Sequence, residues 1–281
     1  MLSEHVEMID DPGRADFQLS LNFLPDDFPL DRTLLILREP PTPLFAPLYA
    51  QRADCHTVIT YLPDGPNQFV FTTRPYLFPY RPGQNRLSRP TLSPGRRGVY
   101  FAGRGGREDY TNIHGAIALT SARTQLGLYL LKNHAETHLF GRDWPTGVSS
   151  TQGQGYRTRK LEEIERLQPD FVLCLENMMY RNYISEKIHD GFQSDRVVLY
   201  LGEPRITDYV PADCFVDLRP YFDAASGRLD CPAVLDLIRN MPPEQYETLL
   251  VKARAWHHDL HHQNSAEKTA LTQFLLKRMG I

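Results

Sequence analysis

From residue 99 onward, short apolar runs alternate with single helical segments, and no other feature limits the fold of this chain as tightly. Val99-Tyr100-Phe101-Ala102 (or Ala116-Ile117-Ala118-Leu119), Thr137-His138-Leu139-Phe140, Phe171–Leu175, Val197–Leu201 and Cys214–Leu218 read as strands. The segments 121–133, 161–167 and 185–192 between them read as helices. Strands this short, joined by single helices, predict a parallel α/β sheet with right-handed crossovers. Ligands in such sheets bind beyond the carboxyl ends of the strands.

The N-terminal part is plainer. Thr33–Leu37 reads as a buried strand stopped by Arg38-Glu39-Pro40-Pro41, with further strands at 57–61 and 69–72. Residues before about 30 are acidic and broken by Pro and Asp, which gives no firm element. Tyr80–Arg97 (YRPGQNRLSRPTLSPGRR) is rich in Pro, Gly and Arg without an apolar period, the mark of a linker. A domain boundary is therefore expected there, dividing 1–96 from 97–264. Helices at 231–240, 243–260 and 265–279 close the chain, the last of them in a terminal segment, 265–281.

The bulk chemistry removes several functions. A net charge of −3 gives no general attraction to nucleic acid or to an anionic membrane, so any anion site must be local. Cys55, Cys174, Cys214 and Cys231 are scattered without a C-x-x-C pair, and two lie in apolar runs; reduced, buried thiols are expected rather than zinc ligands or disulfides. There is neither an apolar run of about 18 residues nor a secretory leader. The expected placement is cytoplasmic, or peripheral at a membrane; the Golgi lumen is expected only if an N-terminal anchor precedes these residues.

One turn concentrates chemistry. RNYISEK, residues 181–187, follows the strand 171–175 and its Glu176-Asn177 end. A helix opening near Ser185 aims free N–H groups and a partial positive charge at whatever precedes it. Lys187 adds a full charge suited to a diphosphate, Glu186 an acceptor suited to a ribose diol, and Tyr183 a ring for stacking. The plainer reading is an ordinary capped surface helix, although a first-turn lysine opposes the helix dipole. Arg123, at the start of the 121–133 helix, is a second candidate phosphate clamp. Glu39, ending a strand and fixed by two prolines, stands where a general base could act.

Two motifs are set aside. Gly103-Arg104-Gly105-Gly106 lacks the G-x-G-x-x-G spacing of a dinucleotide loop. The run His257-His258-Asp259-Leu260-His261-His262 lacks the glutamate of H-E-x-x-H and is expected to be a solvated helix face.

The segments FVLCLENMMYRNYISEKI, LYLGEP and DYVPADCFVDLRPYF resemble the donor-binding signature of the α1,3/4-fucosyltransferases, glycosyltransferase family 10. TSARTQLGLYLLKNHAETHLFGR, LLILREPPTPLFAPLYA and VFTTRPYLFPYRP are similar to upstream segments of that family. The resemblance implies a GT-B fold: two Rossmann-like domains facing across a cleft, an acceptor side in 1–96, a donor side in 97–264, and a terminal helix returning to the first. It implies Glu39 as general base, Arg123 and Lys187 on the diphosphate of GDP-fucose, Glu186 on the ribose, and Tyr183 with Asn177 lining the nucleoside pocket. The donor and a glycan acceptor would be its partners, with no metal or other cofactor required. Met178 stands where the family has Ser or Thr, which keeps open a different nucleotide sugar on the same scaffold. A non-catalytic nucleotide-sugar or glycan-binding module is the reading from another class.

Overall fold

The computed structural model describes residues 98–102, 115–141, 144 and 156–281, and in the N-terminal part Glu7, 14–21, 23–24, 28–37, 46–51, 54–55, 57–60 and 68–70. The strands are β1 Gln18–Leu21, β2 Thr33–Ile36, β3 Thr57–Thr60, β4 Gln68–Val70, β5 Val99–Ala102, β6 Ile117–Ala118, β7 Thr137–Phe140, β8 Phe171–Leu175, β9 Met178–Met179, β10 Val197–Leu201, β11 Val216–Asp217, β12 Phe222–Asp223 and β13 Arg228–Leu229. The helices are α1 Ala46–Gln51, α2 Thr120–Asn133, α3 Tyr156–Leu167, α4 Glu186–Gln193, α5 Cys231–Asn240 and α6 Pro243–Met279.

Two parallel sheets result. The N-terminal one has the order β1-β2-β3-β4, with Leu19 beside Leu34 and Leu34 beside Thr57. The second has the order β11-β10-β8-β5-β7. Its strands β8 and β10 are buried at every position, as their unbroken apolar runs require. Alternate residues then serve opposite faces. Phe171, Leu173, Leu175, Leu199 and Leu201 pack with Leu126 and Leu130 of α2 and Val234 and Ile238 of α5. Val172, Cys174, Val198 and Tyr200 pack with Ile164 of α3 and Ile188 and Phe192 of α4.

The order of this sheet fixes where a ligand belongs. The chain runs outward from β5 to β7, then returns to β8 on the other side of β5 and continues to β10 and β11. The order reverses between β5 and β8, and in open α/β sheets the binding crevice lies at that reversal.

Several expectations are corrected. Of the strand expected at 214–218 only Val216–Asp217 pairs; Ala212–Cys214 forms a 3₁₀ turn instead. β5 is the strand in the sheet, while Ile117–Ala118 forms a short antiparallel pair with Met178–Met179. The helices expected at 243–260 and 265–279 are one continuous helix of 37 residues, α6. No Gly or Pro interrupts 244–279, so nothing in the backbone chemistry forces a break. Its last turns place Leu275 against Leu34 of β2, with Leu271, Phe274 and Met279 around them. His257 is buried against Phe192 and His189 rather than solvated, with ring centroids 6.0 and 6.4 Å apart, while His258 is exposed. Gly103–Gly106 and the expected boundary at 80–97 lie outside the described residues. All four cysteines are free and buried; burial pushes the thiols of Cys55 and Cys214 up to about 11.

Candidate active site

Two consecutive polar residues, Glu176 and Asn177, follow the carboxyl end of β8 at the reversal point, and each holds a cation. Asn177 Oδ1 accepts a hydrogen bond from Arg123 Nη1 at 2.5 Å. Arg123 sits in the first turn of α2 and is only 3% exposed. Asn177 also ties the start of that helix, since its carbonyl accepts from Leu119 N at 3.0 Å. The neighbouring Glu176 is fully buried and turns the other way, toward α4.

There, Ser185 is the N-cap of α4. Its hydroxyl accepts from Lys187 N at 3.3 Å. The same hydroxyl donates to Glu176 Oε2 at 2.5 Å, and Ser185 N donates to Glu176 Oε1 at 2.8 Å. Lys187 Nζ lies 3.1 Å from Ser185 Oγ, 3.5 Å from Glu176 Oε2 and 3.6 Å from Glu186 Oε1. The ammonium is thus held beside the opening of the helix, where backbone N–H groups already favour an anion. Glu186 is half-buried in the first turn.

A second layer fixes Glu176. Tyr200, one strand over on β10, brings its hydroxyl to 3.5 Å from Glu176 Oε1 and accepts from Glu203 N at 3.1 Å. Burial, reinforced by the nearby Glu176 carboxylate, holds the Tyr200 hydroxyl well above the usual tyrosine range, so it stays a donor. Gly202 follows β10, and its bare α-carbon is what lets the two side chains meet. A Cβ there would lie 2.4 Å from Glu176 Cγ and 2.5 Å from the Tyr200 hydroxyl. Glu203 Oε1 accepts from Arg205 N at 2.9 Å, and burial raises the affinity of this carboxyl for its proton. Asn182, in the left-handed region at φ 61°, accepts from the Tyr209 hydroxyl at 2.5 Å.

The structure therefore brings Arg123, Asn177, Glu186 and Lys187 together at the carboxyl end of β8. Tyr183 is there too, but not as a stacking platform. It is 2% exposed and packs with Ala116, Met178 and Tyr180, so its ring presents no open face to a base. Glu39 lies outside the described residues. Sequence reasoning missed Glu176 and Tyr200 as members of the site, and read Ser185 only as the opening of the helix. The one available signal was Glu176 itself: an acid directly continuing a buried strand must find partners or stay unburied.

Among the described residues, no three His, Cys, Asp or Glu side chains converge as a metal site, and no helix is long and apolar enough to cross a membrane.

Comparison with known proteins gives the same region. Residues 114–228 match the model of the glycosyltransferase family 10 (fucosyltransferase) C-terminal domain. The fold is similar to that of an alpha1,3-fucosyltransferase solved with GDP-fucose, at 14% identity over 87% of this chain and 71% of that one, with a TM-score of 0.52. A second crystal structure of an alpha1,3-fucosyltransferase is 16% identical over 88% of this chain and 73% of that one, also at a TM-score of 0.52. No curated protein matches the chain. The architecture, two parallel α/β sheets in sequence, is of the GT-B type.

Proposed function

We propose, from the match of residues 114–228 to the glycosyltransferase family 10 (fucosyltransferase) C-terminal domain, that this chain transfers L-fucose from GDP-fucose to a hydroxyl of a glycan acceptor, with inversion. The observation that carries the reading is the pair Glu176-Asn177, which holds Lys187 on one side and Arg123 on the other, at the reversal point of the sheet. A binding crevice that concentrates two fixed cations and a helix N-terminus suits a diphosphate.

The chemistry is a single displacement. Glu39 takes the proton from the acceptor hydroxyl as its oxygen attacks the anomeric carbon. The bond from that carbon to the β-phosphate oxygen breaks, and its electron pair leaves with GDP. Arg123, Lys187 and the opening of α4 stabilise the charge that accumulates on the leaving group. Fixed donors at such a position contribute about 3–4 kcal/mol each. Glu186, half-buried next to Lys187, accepts from the ribose diol, and Asn177 lines the nucleoside pocket, with Tyr183 packed behind it rather than against the base.

The test is a thermal-shift series on the full chain followed by turnover assays. GDP at one hundred times its dissociation constant adds about 2.7 kcal/mol of stability, and UDP much less. Equal shifts with UDP would move the assignment to another nucleotide sugar. Turnover of GDP-fucose with a panel of glycan acceptors would then identify the sugar transferred.

A further inference from the structure

We propose that Ser185 and Glu176 are a positioning pair for Lys187, acting on the bound diphosphate only through the lysine ammonium; the inference rests on the diphosphate reading given above. An ordinary N-cap needs no more than a side-chain acceptor for a first-turn N–H. Ser185 does more. Its single oxygen takes the Lys187 backbone N–H at 3.3 Å and the Lys187 ammonium at 3.1 Å, while its own proton goes to Glu176 Oε2 at 2.5 Å. Glu176 in turn lies 3.5 Å from the same ammonium. The carboxylate beneath is itself immobile, held by Ser185 N at 2.8 Å and pressed against Gly202.

The physical gain is preorganisation. Lysine is a flexible four-carbon stem ending in a compact charge, and fixing it on a ligand costs rotamer entropy. Here that freedom is restricted before the ligand arrives, and Lys187 is only 15% exposed. The arrangement also offsets the unfavourable placement of a cation at a helix N-terminus. Glu176 and Glu186 flank the ammonium, so it rests beside the free N–H groups of α4 rather than turning away into solvent.

The experiment is a calorimetric titration of the full chain with GDP, using Ser185→Ala, Ser185→Thr, Lys187→Ala and the double variant Ser185→Ala/Lys187→Ala. Ser185→Ala should weaken GDP about tenfold, within the range of directly coupled neighbours. Ser185→Thr keeps the hydroxyl and should bind as the parent does. In the double variant the loss should equal that of Lys187→Ala alone. Ser185→Gly, which gives up little capping, should reproduce the alanine result and serves if the alanine variant unfolds. Losses that multiply in the double variant, or a Ser185→Ala protein that binds like the parent, would overturn the positioning role while leaving the diphosphate site intact. A parent that binds neither GDP nor UDP would overturn the functional reading, and this inference with it.

Discussion

Gly202→Ala is a one-carbon change whose cost can be worked from the contacts around it. The added Cβ would meet Glu176 Cγ at 2.4 Å, the Tyr200 hydroxyl at 2.5 Å and Tyr200 Cζ at 2.8 Å. Real Cβ atoms do not approach so closely, so the neighbours must move. Neither moves easily. Glu176 and Tyr200 are both fully buried; the first is tied to Ser185 by two hydrogen bonds, and the second packs edge-on against Phe215 with ring centroids 6.0 Å apart. Overpacking a well-filled interior costs about 1–3 kcal/mol, and the rigidity of both neighbours argues for the upper half of that range. In a chain of this length each kcal/mol lowers the melting temperature by about 2–4 °C. The displaced carboxylate would also drag Ser185 and Lys187, so GDP affinity should fall along with stability. The assay pairs a thermal melt with a GDP titration on the same preparation. A variant with an unmoved midpoint would show that the turn after β10 is not packed against Glu176. A lowered midpoint with parental GDP affinity would show that Glu176 does not set the position of the lysine.

Arg123→Ala and Lys187→Ala should each weaken GDP binding by roughly 1.5–3 kcal/mol, the worth of a hydrogen bond to a charged group, measured by calorimetry; parental affinity in either variant removes that residue from the diphosphate site. Glu39→Gln should cut turnover by about 10²–10⁴-fold while leaving GDP affinity intact, because a general base serves the acceptor; normal turnover would send the search for the base to Asp26, Asp27 and Asp31. Glu203 supplies a pH signature. Burial raises its carboxyl above the ordinary value of 4.5, so the folded chain binds this proton more tightly than the unfolded one. Stability contributed there is present at low pH and is lost as pH rises above 4.5 through the raised value. Glu203→Gln should remove that loss, and parallel melting curves for parent and variant from pH 4 upward, at about half-unit steps, would refute it.

Sequence alone reached the second sheet because its strands announce themselves: β8 and β10 are apolar at every position, and a chain can bury such runs only between two layers of helix. It reached the opening of α4 for a similar reason, since Ser185 followed by Glu186 is a local capping pattern. The partner of that cap was beyond it. Nothing in the order of residues says that Glu176 faces Ser185 while Asn177 faces Arg123, because that depends on how a strand end twists between two helices. Tyr183 shows the same limit from the other side: a ring suited to stacking by chemistry is placed by packing against Met178 and Tyr180. β1, with the sequence QLSL, carries an inverted signal: its two leucines are the exposed positions and the buried one is Ser20. The polar patch at 261–264 suggests a break in α6, but a backbone without Gly or Pro has no reason to stop there.

The continuous course of α6 has a consequence for how the chain is made. At about 1.5 Å per residue it extends roughly 55 Å, and its final turns carry Leu271, Phe274 and Leu275 onto Leu34 and Ile36 of the first sheet. A ribosome delivers β2 long before those leucines. These N-terminal strands therefore leave the exit tunnel without the apolar cover they will eventually have, and wait until residues 37–270 have been made. Domains usually complete themselves in the order of synthesis; here an early sheet is covered only by a much later helix. Chains released before residue 271 should keep the second sheet and its helices yet expose Leu34 and Ile36, and it is these truncated products, rather than internal variants, that chaperones would be expected to retain.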